Sequence, residues 1–394
     1  MIDTLIREPA LSIELLPAVS QLFAAPNPAP PIPVPEVNDR AAFISLEVEW
    51  DALVEATRAE PFYRHDFIRI WIDNFAPRTR LRILVGRDEH GTLVATLPLM
   101  QERGSLLGAP VRQLTSTANF HLPRFDLLAF DAEAAGQAFF QHLSTDTSWD
   151  VLRIDDVPQE GNAWHLYEAA MLAGSQVGTW SSLQSPYIPL PATYAEFQAQ
   201  LSSKFRANLR RRRKKLEEMG RVTVERVTGG MELDGKLEEG YALEQSGWKG
   251  RGGTAIAQDH ATWGFYTELA RTASYGDHLA LYFLRLDGKP VAFHYGLEYG
   301  RRYYLLKPAY DEAYRECSPG QLLMDEVLRD CVARGFDEFD FLGPDMTWKR
   351  DWTGHVRPHT WLFVFRDSAY GRLLHKTKFK LVPAAKEMVA RWRT

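Results

Sequence analysis

The run Cys317-Ser318-Pro319-Gly320-Gln321 joins residue types that start a helix to residue types that can meet an anion. Serine is a favoured N-cap, and proline fits the first helical position, where its missing N–H leaves nothing unpaired. Glycine beside them removes side-chain bulk, so a ligand can approach the free N–H groups. A helix start attracts phosphate oxygens through those donors and through its dipole. Ser318, Gly320 and Gln321 are therefore candidate phosphate contacts, with a plain helix start as the competing reading. Just upstream, KPAYDEAYREC leaves a β-rich run with Lys307, Tyr310, Asp311 and Tyr314 close together. Tyrosine can protonate a leaving thiolate, and a carboxylate can accept an amine proton directly or through water. Lys307, Tyr310 and Asp311 are the candidate catalytic residues, against a polar loop whose tyrosines pack on a sheet edge.

Three further segments have unusual composition. In SGWKGRGGTAIA, residues 246–257, four glycines surround Trp248, Lys249 and Arg251. Such a loop can close over a sugar or phosphate, since aromatic faces suit sugars and cations suit phosphate, or it is an ordinary connection. In SSKFRANLRRRRKKLEEMG, residues 202–220, eight Lys or Arg side chains stand between Lys204 and Lys215 with no acid among them, in a chain of net charge −5. Phe205, Leu209 and Leu216 have near-helical spacing and Gly220 supplies a stop, so the segment reads as a helix docked by a narrow apolar stripe. Arg206 and Arg210 are its candidate substrate contacts. The cations suit a diphosphate on a nucleotide sugar or polyprenyl-linked sugar, tRNA phosphates, or an anionic lipid or nucleotide second messenger. A solvated face is the plain alternative, made less comfortable by eight uncompensated like charges. In DFLGPDMTWKRDW, Asp340, Trp348, Lys349 and Trp352 stand at and beyond the end of the last strand, and the aromatics read as core.

Several chemistries lack support. There is no GxxxxGK[ST], no HExxH, no paired CxxC and no GxSxG; nucleotide hydrolysis, zinc chemistry and serine hydrolysis have no motif to carry them. The eleven histidines are scattered, His294 reads as a core residue inside a strand, and no metal site is expected. Two cysteines, Cys317 and Cys331, fit a reducing compartment without a structural disulfide. No apolar run is long enough to span a membrane, and no secretion signal opens the chain, so a cytoplasmic protein is expected, with peripheral inner-membrane association left open.

The elements that must position these residues follow a repeated order. Six prolines between Pro26 and Pro35 suggest a flexible segment over 1–38. In 39–190, LRILVGRD and TLVATLPLM form a hairpin across Glu89-His90-Gly91, followed by a helix at 132–145, the strand DVLRIDDV and a helix near 162–173. In 191–365, LALYFLRL and PVAFHYGLEY form a hairpin across Asp287-Gly288, followed by RRYYLLKPAYD, a helix at 319–334 and the strand EFDFLGP. Hairpin, helix, strand appears twice, which suggests a structural duplication in an α/β fold, with helices covering a largely antiparallel sheet. Residues 366–394 hold eight Lys or Arg against Asp367 and Glu387 and read as a basic tail.

The Arg-rich segment, the glycine-rich loop, the LKPAYDEAYRECSPGQLL block and EFDFLGP, in that order, resemble the CelD/BcsL-type acetyltransferases, a branch of the GNAT superfamily related to the Fem peptidyltransferases. GTLVATLPLM and FHLPRFDLL extend the resemblance, which covers roughly 40–365. It implies two tandem GNAT-like domains, the second carrying acyl transfer from acetyl-CoA to an amine or hydroxyl of a sugar or lipid-linked sugar in exopolysaccharide or cellulose-type synthesis. GNAT enzymes hold the CoA pyrophosphate at a helix start written Q/R-x-x-G-x-G/A; here that place reads Ser318-Pro319-Gly320-Gln321, with a single glycine. Fem relatives use aminoacyl-tRNA, which keeps that donor as an alternative, beside a non-catalytic scaffold binding nucleotide or membrane. The first half has no Ser-Pro-Gly start before its helix at 132, so it is expected to shape the acceptor site without binding a donor.

Overall fold

The computed structural model describes residues 32–247 and 255–382. Its helices are α1 (Arg40–Ser45), α2 (Glu47–Thr57), α3 (His65–Phe75), α4 (Ala132–Thr145), α5 (Ala163–Leu172), α6 (Tyr194–Gln200), α7 (Ser203–Glu217), α8 (Leu233–Ser246), α9 (His260–Tyr275), α10 (Pro319–Ala333), α11 (Thr347–Arg350) and α12 (Ala369–Lys376). The strands are β1 (Glu36–Val37), β2 (Arg80–Arg87), β3 (Leu93–Leu106), β4 (Ala109–Ser116), β5 (Leu128–Ala129), β6 (Val151–Pro158), β7 (Gln176–Pro189), β8 (Val222–Val227), β9 (Leu279–Leu286), β10 (Lys289–Tyr299), β11 (Arg302–Tyr310), β12 (Glu338–Asp340) and β13 (Val356–Phe365).

Among the described residues these strands form one mixed sheet, in the order β1-β2-β3-β4-β6-β13-β7-β12-β11-β10-β9-β8, with β5 on β3. Two pairs are parallel. Gln113–Thr115 of β4 run beside Val151–Arg153 of β6, and Arg302–Tyr304 of β11 beside Glu338–Asp340 of β12. Each is preceded by a hairpin (β2–β3, β9–β10) and bridged by a helix (α4, α10), so the duplicated order is present in three dimensions. The tight turn at Asp287-Gly288 has positive φ at both residues, 50° and 82°, as a two-residue hairpin with right-handed strand twist requires.

The chain crosses the expected boundary at 190/191 twice. β7 pairs with β13 through Gln176–Pro186 and with β12 through Tyr187–Pro189, so it belongs to both halves. β13 comes from late in the chain yet inserts between β6 and β7. The largest core likewise joins Trp50, Leu97 and Phe139 of the first half to Phe265, Phe283 and Phe293 of the second. A second core lies on the other face of the later strands, around Phe197, Leu216, Leu323 and Phe339.

Both ends of the described chain differ from the sequence expectation. Residues 33–37 are not a free linker: Val85 and Arg87 donate N–H groups to Pro35 and Pro33 carbonyls at 3.1 and 3.4 Å, and β1 pairs with β2. Proline lacks a donor but keeps its carbonyl, which an edge position can use. The basic tail likewise begins as structure. α12 presents Leu374, and Phe379 follows it, onto Phe363 and Phe365 of β13.

Candidate functional site

β11 and β12 stay paired for only three residues; β11 then continues to Tyr310 while β12 ends at Asp340. A cavity of about 670 Å³ is lined by the free length of β11, by the turn after β12 and by the start of α10. One end holds Tyr310, Arg315, Ser318, Gly320 and Gln321; the walls include Leu305 to Ala309 and Phe341 to Pro344. Phe120 and His121, from the first half, and Leu243, Glu244 and Tyr266, from α8 and α9, also line it.

The helix start is open, though not in the way the sequence suggests. Ser318 adopts left-handed backbone (φ 46°, ψ 60°), and its hydroxyl donates to the Arg315 carbonyl at 3.4 Å, so no side chain caps α10. Its carbonyl accepts the Gln321 and Leu322 N–H groups, at 3.0 and 3.2 Å. The first turn carries no acid. A Cβ added at Gly320 would meet the Tyr310 ring at 3.5 Å, ordinary contact, so glycine there leaves space without being sterically required. The side-chain oxygen of Gln321 accepts the Trp352 indole N–H at 2.6 Å, and Trp352 stands edge-on to Phe205 of α7 at 4.9 Å.

The other predicted residues divide. Lys307 and Tyr310 line the cavity, and the Lys307 ammonium lies 5.2 and 6.0 Å from the Tyr266 and Phe120 ring centres. Asp311 is not among the lining residues. Its carboxylate caps Ala313 N–H at 2.9 Å and pairs with Lys289 at 2.9 Å; burial would raise its pKa, but these contacts outweigh it and hold the group below its usual range. Arg206 and Arg210 also stay off the cavity wall. α7 does bury Phe205, Leu209 and Leu216, but its cations are not uncompensated: Arg213 pairs with Glu326 and Lys215 with Glu316, acids on and just before α10. Trp248, Lys249 and Arg251 lie outside the described residues.

Three functional candidates, Arg315, His121 and Tyr266, were not singled out from the sequence, and a fourth, Lys349, was named there without a role. Arg315 brings a cation to the helix-start end of the cavity. His121 reaches in from the first half, with Nδ1 3.1 Å from the Tyr266 hydroxyl and Nε2 3.4 Å from that of Thr262. Burial, then the nearby Lys307 charge, push its pKa down to about 3, so it is neutral at physiological pH. Tyr266 is fully buried and its phenol is pushed well up, again mainly by burial, which keeps it a donor. Lys349 donates to the Leu342 and Pro344 carbonyls at 2.6 and 2.8 Å and so fixes the turn that forms one wall. Burial lowers its pKa to about 8 against the opposing pull of Asp340 and Asp345.

A second cavity, about 690 Å³, lies beyond the end of β6 and is lined from both halves, by Glu60, Arg124 and Asn162 and by Arg302 and Arg357. It is lined by ion-paired groups. Arg124 joins Glu60 at 2.6 Å and Asp340 at 2.7 Å, and Arg357 joins Asp340 at 2.6 Å. Asp126 closes the start of α5 by accepting the Asn162 and Ala163 N–H groups at 2.8 and 2.7 Å; burial still raises its carboxyl to about 6.

Residues 203–350 match the model of the acetyltransferase (GNAT) domain. The chain therefore carries a GNAT domain and is an acyltransferase of that type. No curated protein matches the sequence. Among solved structures, FemX is similar over 84% of this chain and 98% of its own, with a TM-score of 0.54 at 11% identity. The C-terminal domain of a putative lysylphosphatidylglycerol synthetase from Agrobacterium fabrum follows over 84% and 95%, with a TM-score of 0.51 at 12% identity. L-PGS from Bacillus licheniformis gives 84% and 94%, with a TM-score of 0.50 at 12% identity. These likenesses concern the fold. Among the described residues no helix is long and apolar enough to cross a membrane.

Proposed function

We propose that the cavity between β11 and β12 binds an acyl-CoA thioester and delivers its acyl group to an amine or hydroxyl of a saccharide or lipid-linked sugar. The observation that carries this reading is the gap between the two strands, ending at a helix start with no capping side chain and no acid. The pyrophosphate would meet the Gly320 N–H and Arg315 at that end. The acceptor atom attacks the thioester carbonyl, a new C–N or C–O bond forms, and the C–S bond breaks. The proton lost by the acceptor ends on the CoA sulfur. Lys349 keeps the facing wall in place, while Lys307 and neutral His121 border the acceptor side. CelD/BcsL-type exopolysaccharide synthesis remains the biological setting that the motifs suggest.

Thermal unfolding with acetyl-CoA, free CoA and aminoacyl-tRNA tests the donor. A ligand at a hundred times its Kd adds about 2.7 kcal/mol of stability, which a melting curve resolves. Stabilisation by acetyl-CoA and CoA supports the proposal. A melting temperature indifferent to both at millimolar concentration overturns it, and a response to aminoacyl-tRNA alone would install the Fem-like donor in their place.

A further inference from the structure

The cavity between β11 and β12 is more apolar than transfer of an acetyl group to a sugar requires. A saccharide brings hydroxyls that must find partners, and burying them unpaired is costly. Yet Leu243, Leu305, Leu306, Phe341 and Trp348 supply much of the wall. Two large apolar side chains in the same lining also stay open to solvent: Phe120 is 76% exposed and Met346 40%. Apolar side chains on a cavity lining that remain uncovered mark a surface that gains from an apolar ligand.

The phosphate end and the apolar walls are spatially distinct. Tyr310 contacts the space beside Gly320, whereas Lys307 lies by Phe120 and Tyr266. Three residues of extended strand separate them, about 10 Å. A ligand filling this space would be amphipathic, anionic at the start of α10 and hydrocarbon beside Phe120. The volume of about 670 Å³ is within the range of sites that enclose a ligand of drug size, well beyond an acetyl group.

We infer that this cavity receives an alkyl chain of several carbons, carried either by the acyl donor as a fatty acyl thioester or by a lipid-linked acceptor. The inference rests on the reading of the cavity as the transfer site. In the donor case the bond changes are those of any thioester aminolysis or alcoholysis, with the longer acyl group moving to the acceptor and the proton to sulfur. Nothing else is consumed.

Calorimetric titration of the full chain with acetyl-, butyryl-, hexanoyl- and octanoyl-CoA measures the donor arm. Methyl and octyl glucoside, below micellar concentration and with acetyl-CoA saturating, measure the acceptor arm. Each methylene that leaves water should tighten binding about two- to fourfold. A rise along the CoA series assigns the chain to the donor, and a rise only from methyl to octyl glucoside assigns it to the acceptor. CoA binding with no gain in either series overturns the alkyl inference and leaves the proposed function standing. Octyl glucoside binding without any CoA binding overturns the donor reading and keeps the alkyl site. No binding in either arm removes both. Phe120→Ser, at an exposed position that leaves the core intact, should reduce the gain per methylene; an undiminished gain would place the chain elsewhere and overturn the assignment.

Discussion

α4 and α10 occupy equivalent places in the two halves, each following a hairpin and a third strand and leading into a parallel partner, yet their first turns are built oppositely. Asp131 caps α4, accepting the Ala134 N–H at 3.0 Å, and Glu133 adds a second carboxylate in the first turn. α10 has neither a capping side chain nor an acid, and Arg315 lies just before it. Acids at a helix start stabilise it by satisfying donors and complementing the dipole. The same acids repel phosphate and occupy the groups that would bind it. No residue of α4 lines either cavity, whereas Gly320 and Gln321 of α10 line the apolar one. The repeated topology thus supplies two candidate anion sites, and local chemistry spends one on stability while leaving the other open.

The halves are nevertheless not independent, and the strongest test of their contrast is the link between them. Asp340 is completely buried and accepts from Arg124 of the first half and Arg357 of β13 at 2.7 and 2.6 Å. Burial would raise its pKa, but the two guanidinium groups outweigh this and hold it below the usual value. The sign follows: the stability it contributes is present above the unfolded carboxyl's pKa, about 3.9, and is lost as pH falls through the still lower folded value. Asp340→Asn leaves two arginines short of their counter-charge, at a cost of about 3–5 kcal/mol at pH 7. Urea unfolding followed by tryptophan fluorescence and by circular dichroism should show one transition, shifted to lower denaturant. Two separated transitions would mean that the halves fold as autonomous domains.

The contrast also shows what sequence could and could not reveal. The bounds of α4 and α10 were legible because their start residues and apolar periodicity are local signals. The first-half helix is expected to lack donor chemistry from the absence of Ser-Pro-Gly, and the structure shows carboxylates at its start where α10 has none. β4 and β13 were not read as strands: Pro110 and Pro358 interrupt them, and β13 finds its partners far away in β6 and β7. The same limit hid His121 and Tyr266, 145 residues apart, whose meeting is a product of the fold. Arg213 and Lys215 carry the opposite lesson. A one-dimensional charge run concealed acids that only α10 packing brings beside it.

Closing the open helix start should separate binding from stability. Gly320→Asp places a carboxylate where α4 already has one, and the Tyr310 ring at 3.5 Å leaves room for the new Cβ. The acid opposes a bound phosphate and competes for its donors, so acyl-CoA affinity should fall about 10- to 100-fold, the equivalent of losing one charge-assisted hydrogen bond. Stability should hold or rise by up to about 1 kcal/mol through the helix dipole. Unchanged affinity by calorimetry would remove the start of α10 from the phosphate site, whatever the fate of the melting temperature.

The reverse change has the smallest expected effect and asks whether an open turn is sufficient. Asp131→Ala with Glu133→Ala strips α4 of its cap and its second acid, at a cost of about 1 kcal/mol. The melting temperature should drop by a few degrees. Binding stoichiometry for acyl-CoA should stay at one, because freed N–H groups without a cavity beside them have no means of enclosing the rest of the ligand. β4 and β6 part after Thr115 and Arg153 much as β11 and β12 do, yet the cavity beyond β6 is lined by the ion-paired Glu60, Arg124 and Arg357 and by no residue of α4. A stoichiometry rising to two would show that helix-start charge alone distinguishes the halves. A constant one assigns the difference jointly to the open turn and to the apolar gap beside it, a combination present at α10 and missing at α4.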